Sequence, residues 1–465
     1  MRHGTVRAWV PVLLAGGALG ALPPAPLGAQ QAYLERRGGG IEVLGHLPLG
    51  PALSVADVEI EQDLSRPFAY VARMQYRDVG EKGLDVIDIS DPSSPRVIYR
   101  WRIENQELHQ RTGGMDVKQF KWKRRYYVVQ SLQFGQGGPD PDLGAVVLDV
   151  TGLPDPAKVK EVARIREPEL PGGFHNIFVY RHSDGRVYLL STVSGPFAHV
   201  YDLGNVVEGK ARESWLAARV PVPPAAEEQG RRTGRLRGYH DFYVGFHPAS
   251  GQDRFYGGGT GGYYVYDITD LRSPRLLTSI VGVAGVRGGH TFTPTPDGRY
   301  AVGETEYQYA PLRIYDLQPG LNGELPAIRR SIGAWTADWK HLSHNHEVRW
   351  PYVFVSGYED GLQVFSLLDP ANPVTVGYYD TYPGPHKVGA CRDRVCNGAF
   401  GVDVRNADGL IVVSDSSTGF WSFRMEGFQG WNGRDWGVPN ISSAQDWENG
   451  PEGATRVADD EDAGG

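Results

Sequence analysis

Thiols are almost absent: the 465-residue chain has two cysteines, Cys391 and Cys396. So low a count excludes a disulfide-built scaffold and a four-thiolate zinc site, and the fold must rest on a buried apolar core. The pair CRDRVC can close a six-residue loop, worth about 2 kcal/mol by chain entropy before strain. A Cys391–Cys396 disulfide is the expectation, since a thiolate metal site lacks a second pair. Helical periodicity is missing too, because no long stretch repeats apolar residues every 3.6 positions. Past the N-terminus no apolar run is long enough to span a bilayer. Basic residues are in the minority, 47 Lys and Arg against 55 Asp and Glu, which argues against nucleic acid or an anionic membrane as the main partner. The basic run Arg231 to Arg237 reads as a solvated loop. Serine nucleophile elbows, Walker loops and HExxH are all lacking. The GGGTGG run from Gly257 joins two strands and precedes no helix, so it reads as a tight turn.

What the chain does have begins with an export signal. Arg2 and Arg7 precede the apolar VPVLLAGGALGAL, and Ala29 offers a small residue for cleavage, so residues 1–29 read as a secretory signal peptide. The mature protein is expected to be soluble, monomeric and periplasmic or extracellular. Its glycine and proline, with many Tyr, Val and Trp, favour β-structure.

The stretch Ser343 to Thr381 shows the organising unit. Runs of alternating branched and aromatic residues read as four short strands, and Asp369-Pro370-Ala371-Asn372-Pro373 is turn chemistry that no ladder tolerates. The third strand recurs as GLDVIDISDPSSP from Gly83, GAVVLDVTGLPDP from Gly144, FAHVYDLG from Phe197, GYYVYDITDLRSP from Gly262, PLRIYDLQPG from Pro311 and GFWSFRMEG from Gly419. The first strands enter at Ala56, Met115, His175, His240, His290, His346 and Val402. A repeat of this kind predicts an all-β, seven-bladed β-propeller over 41–430. The last copy lacks a fourth strand, and the orphan IEVLGHLPL from Ile41 is expected to complete it and close the ring, removing two sheet edges. Residues 30–40 are a short lead, and 431–465 an extension with a disordered acidic end.

Leu84 to Pro92, LDVIDISDP, with Pro95 after it, closely resembles the repeat of LVIVD-repeat proteins. The resemblance spans about Ile41 to Gly430, with FAHVYDLG and GFWSFRMEG departing from the pattern. It implies a bacterial exported β-propeller and little about chemistry, since propellers host unrelated functions.

Long connectors (Glu104 to Gly114, Pro223 to Gly238, Tyr382 to Gly398, Leu132 to Leu143) fall on the face where first strands begin, so that face is the expected functional one. His175, His240, His290 and His346 share one register there, and His344 lies on the same side of its strand as His346. Glu304, Glu306 and Glu359 follow second strands and should approach the same mouth; His109 and His386 lie in long connectors that could join it. Imidazoles gathered near one axis cannot all be charged, since unit charges about 4 Å apart repel by roughly 4 kcal/mol at an effective dielectric of 20. The neutral form is the ligand form, so zinc or copper is the candidate cofactor, with the carboxylates as ligands or orienters. The competing reading is that such histidines bond inter-blade backbone or channel water. Asp57, Asp116 and Asp403 are expected to bond turn amides within their own blades. Tyr307, Tyr309, Phe134 and Tyr358 are candidates for an aromatic rim. Two functions follow: an oxidoreductase or hydrolase with a metal or small ligand at the mouth, or a non-catalytic surface module gripping a protein or polysaccharide.

Overall fold

The computed structural model describes residues 38–75, 80–104, 106, 112–133, 140–233, 238–382, 397–431 and 447. The ladders between its strands run antiparallel, and within each four-stranded run most neighbours follow one another in sequence. In the organising stretch, Asn345–Arg349, Tyr352–Ser356, Leu362–Ser366 and Val374–Tyr379 lie side by side. The second and third strands are buried on both faces, while the fourth is largely exposed. Such a gradient is what blades packed face to face around an axis require, because only the outermost strand meets water.

Turn chemistry behaves as its residues dictate. Asp369 accepts the Ala371 amide on its side chain at 3.1 Å, and Asp91 and Asp270 do the same for Ser93 at 3.0 Å and Arg272 at 3.1 Å. These are Asx turns, so in these three sheets an aspartate just past the third strand offers the turn backbone a side-chain acceptor.

Gly38–Gly39 adds a short fifth strand to the sheet of the organising stretch, outside Val374–Tyr379, and three sheets of four strands begin with Ile177–Arg181, Tyr239–His247 and Phe292–Pro294. An eight-stranded sheet consists of two four-stranded runs, starting at Val55–Ile60 and Thr112–Trp122, joined where Met74 and Gln75 pair with Gly113 and Thr112. In the sheet of Ala399–Val404, Ile411–Asp415 and Gly419–Met425, the outermost strand is Ile41–Leu47, whose Ile41 sits opposite Met425 and Leu47 opposite Phe420. The core lies between sheets: Tyr263 stacks on Phe292 of the next sheet at 4.8 Å, and Val58 and Ile60 pack with Leu410, Val412 and Phe420.

Gly257 to Gly259 are strand residues rather than a turn, which is confined to Thr260 and Gly261. A Cβ on Gly258 would lie 2.0 Å from the His290 carbonyl oxygen. The glycines are thus demanded by close approach of the neighbouring sheet. Of the basic run, Arg231 and Arg232 belong to the helix Pro224–Thr233, and 234–237 lie outside the described residues. No helix among the described residues is long and apolar enough to cross a membrane.

Candidate functional site: a histidine arc at the channel mouth

The register at the axis is set by small polar residues of the innermost strands. Asp57, Asp116, Asp241 and Asp403 each accept the amide of the following residue at 2.7–2.8 Å. The second oxygens of Asp116 and Asp403 take strand amides of the neighbouring sheet, Ile177 at 2.8 Å and Ile60 at 2.9 Å. These aspartates bond strand amides, not turn amides, and two of them stitch sheets together. Thr291 continues the series by donating to Asp241 at 3.1 Å and approaching the Asn345 side-chain oxygen at 3.0 Å.

Asn345 therefore holds the aspartate position of its sheet, and the residue in register with His175, His240 and His290 is His344. His346 falls two residues further on, where the other inner strands carry Val58, Val117, Ile177, Phe242, Phe292 and Val404. It faces Val355, is 3% exposed, interacts with the Val302 backbone and makes no hydrogen bond of normal geometry. Burial, with His290 nearby, pushes its pKa down to about 3, so it stands as a neutral core residue. Pro351 lies just beyond the end of this first strand, Asn345–Arg349.

The four in-register imidazoles form an arc. Ring centroids are 4.5 Å apart for His175 and His240, 3.9 Å for His240 and His290, and 5.2 Å for His290 and His344. Behind the arc, outer partners fix which atoms face inward. His175 Nδ1 meets Gln133 Oε1 at 2.5 Å, His290 Nδ1 lies 2.8 Å from Glu304 Oε2, and His344 Nδ1 donates to the Phe400 carbonyl at 2.5 Å. Tyr358 donates to Glu306 Oε1 at 2.6 Å. The atoms that face one another are Nε2 of His175, His240 and His290 and Oε2 of Glu306. His175 Nε2 lies 3.1 Å from His240 Nε2, and His290 Nε2 3.4 Å from Glu306 Oε2. One ligand atom each from His240, His290 and Glu306 lies within 4.8 Å of the others.

Two donors about 2.05 Å from one tetrahedral ion are about 3.3 Å apart, and the His175–His240 and His290–Glu306 contacts have separations of that size, as an imidazole hydrogen bond also does. An imidazole whose far nitrogen is tied to a carboxylate or carbonyl is oriented and made more basic toward a metal. The electrostatics agree with a site short of positive charge. Burial opposes a charged His290, yet Glu304, with Glu306 and Asp241, overrides it and raises its pKa to about 9. Burial lifts Glu304 to about 7 against the pull of His290. Burial, then His290, lowers His344 to about 4.

Of the other candidates, Glu359 receives Asn397 Nδ2 at 3.5 Å and stands outside the triad. His109, His386, Phe134, Cys391 and Cys396 lie outside the described residues. Tyr307 and Tyr309 are exposed, while Tyr358 is buried as the orienter of Glu306. Gln133 escaped sequence reasoning, as did His341, which meets Asp360 at 2.6 Å, and Trp339, exposed beside Tyr309. They sit in connectors, outside any repeat register. Beneath the arc the channel narrows to a cavity of about 50 Å³ lined by Asp57, Glu59, Asp116, Lys118, Asp241 and Asp403 among others. That volume admits water or a small ion.

The LVIVD repeat family model matches residues 63–101. Among solved structures the chain is similar to the WD40 β-propeller domain of Doa1, at 10% identity and a TM-score of 0.50, covering 83% of this chain and 98% of that one. It is also similar to Chaetomium thermophilum Raptor, at 10% identity and a TM-score of 0.52, covering 87% of this chain and 31% of that one. At such identities the likeness shows the fold alone, a β-propeller scaffold carrying an LVIVD repeat. No curated protein matches the chain.

Proposed function

We propose that this chain is an exported seven-bladed propeller whose histidine mouth binds a transition ion, zinc or copper, and uses it for hydrolytic or redox chemistry. The observation that carries the reading is the convergence of His240, His290 and Glu306 donor atoms within 4.8 Å, with outer partners fixing His290 and Glu306. Copper and zinc are the usual partners of imidazole, and both accept a carboxylate oxygen. An ion there replaces the proton that His290 otherwise holds.

Support for a closed ring comes from the innermost strands. Neighbours contact in order from Val55–Ile60 round to Ala399–Val404, which returns to Val55–Ile60. Pairing of Ile41–Leu47 with Gly419–Met425 supplies the last sheet with a strand from the other end of the chain. The export reading rests on residues 1–29 and is checked by N-terminal sequencing of the secreted product. Metal analysis of full-length protein purified without chelator tests the site. At least one zinc or copper per chain is expected, lost in His240→Ala and in His290→Ala. Absence of metal, with melting unchanged by chelator, overturns the reading and leaves the interaction module.

A further inference from the structure

Every exposed aromatic ring among the described residues lies beside the mouth. Tyr307 is 48% exposed, Tyr309 53% and Trp339 53%, whereas the other exposed large hydrophobic residues are all aliphatic. Burial is the ordinary fate of such rings, and a patch of them left in water marks a binding surface. Tyr307 and Tyr309 belong to the connector between Tyr300–Gly303 and Leu312–Asp316, which also carries Glu306. Trp339 belongs to the connector between Gly333–Trp335 and Asn345–Arg349, which leads to His344. Gln308 Nε2 donates to the Lys340 carbonyl at 3.0 Å and ties the two connectors together. A Cβ on Gly288, two residues before His290, would stand 3.8 Å from the Tyr307 hydroxyl oxygen, so Tyr307 borders the entry to the arc. Tyr309 has a φ of 59°, a left-handed conformation that a bulky residue keeps only where its surroundings impose it, at a cost of about 1–3 kcal/mol. Its ring centroid lies 6.0 Å from that of Trp339, with the planes tilted by 55°. The tilt keeps the two rings from covering each other, and each stays half in water.

We infer that these three rings form a shelf for a neutral saccharide chain, two consecutive pyranose residues lying on Trp339 and Tyr309 and the chain passing Tyr307 toward the mouth. The C–H face of a pyranose carries partial positive charge and suits the negative face of an aromatic ring, while its hydroxyl edge suits the polar tips of Tyr and Trp. The 6.0 Å between centroids is about the length of one sugar residue in a chain, which favours an oligosaccharide over a lone sugar. Charge argues for a neutral ligand. Asp338 and Lys340 flank Trp339 with opposite signs, His341 pairs with Asp360, and Glu306 is turned to Tyr358 and His290. A nucleic-acid strand also stacks on aromatic rings but needs a basic groove for its phosphates, and this chain has 55 acidic against 47 basic residues. A lipid chain calls for aliphatic side chains, and the shelf is aromatic. The inference stands on exposed rings rather than on an ion, so it goes beyond the metal reading and does not depend on it.

The test is calorimetric titration of the full chain with cellohexaose, xylohexaose, mannohexaose and chitohexaose, with the corresponding single sugars as controls. At least one hexaose should bind, and the same hexaose should bind about 10-fold more weakly to Trp339→Ala and to Tyr309→Ala. Both side chains are exposed, so neither substitution opens the core. Trp339→Phe should keep most of the affinity, since a ring face remains. Failure of every hexaose to bind, equal affinity in wild type and Trp339→Ala, or a single sugar binding as tightly as its hexaose overturns the inference. Metal content is measured on the same preparation. Hexaose binding without metal keeps this inference and overturns the ion reading, and metal without hexaose binding does the reverse.

Discussion

Replacing Lys118 by methionine keeps the apolar stem in the channel and removes the ammonium. In the native chain Nζ lies 2.9 Å from Asp116 Oδ1, 3.6 Å from Glu59 Oε2 and 3.9 Å from Asp57 Oδ2. At an effective dielectric of 20 these separations correspond to about 6, 5 and 4 kcal/mol of attraction. Most of that is offset by the cost of taking all the partners out of water. Removing one member leaves the desolvation cost of the others uncompensated, and breaking a buried pair costs about 3–5 kcal/mol. We therefore expect Lys118→Met to lose about 3–5 kcal/mol at pH 7.5, read from urea denaturation. The pH dependence has a definite sign. Burial opposes the charge on Lys118, but Asp116, Glu59 and Asp57 override it and hold its pKa well above the ordinary lysine value. Its stabilisation is then complete below the unfolded lysine pKa and lost only as pH rises through the folded one, well above neutrality. Asp57 and Glu59 are raised by burial, against the pull of Lys118. A carboxylate raised in the folded state is a liability above its unfolded pKa that fades as it protonates. The deficit of the variant should thus shrink between pH 7.5 and pH 5. A loss below about 1 kcal/mol at pH 7.5, or a deficit that does not narrow on acidification, would refute the reasoning.

Gly258→Val should displace the His290 entry, because its Cβ would meet the His290 carbonyl oxygen at 2.0 Å; metal content should fall while far-UV circular dichroism keeps its β signature. Glu304→Gln weakens the orientation of His290 and is expected to reduce metal affinity by about 10–100-fold, measured by competition with a chromophoric chelator. Deleting residues 41–49 should lower the melting temperature far more than trimming 448–465, since the first deletion strips a paired strand from its sheet; equal midpoints would argue against ring closure.

Much of the fold was legible because its signals are local. Alternation in Tyr352–Ser356, the Asp369 turn and the recurrence of both along the chain depend on neighbours a few residues apart. The site was legible in part. His175, His240 and His290 could be aligned by counting from the repeat, and the structure brings them together with Glu306. Counting failed in the sheet that follows, where His344 takes the arc position and His346 the core position. The SHNHE sequence fits both registers, and a slip of two residues keeps a side chain on the same face of a strand. Gln133 and Tyr358 were weaker still, since their partners, His175 and Glu306, are distant in sequence.

By itself the sequence determined an all-β chain of repeated four-stranded units with histidines at their entries, because strand period and turn chemistry are written into adjacent residues. Only the tertiary structure decided which imidazole nitrogens face one another and which are tied back. It also decided that Asp116 and Asp403 stitch neighbouring sheets. Those outcomes depend on packing between sheets, where a spacing of 3 Å separates a ligand pair from a core contact and no short-range pattern records the difference.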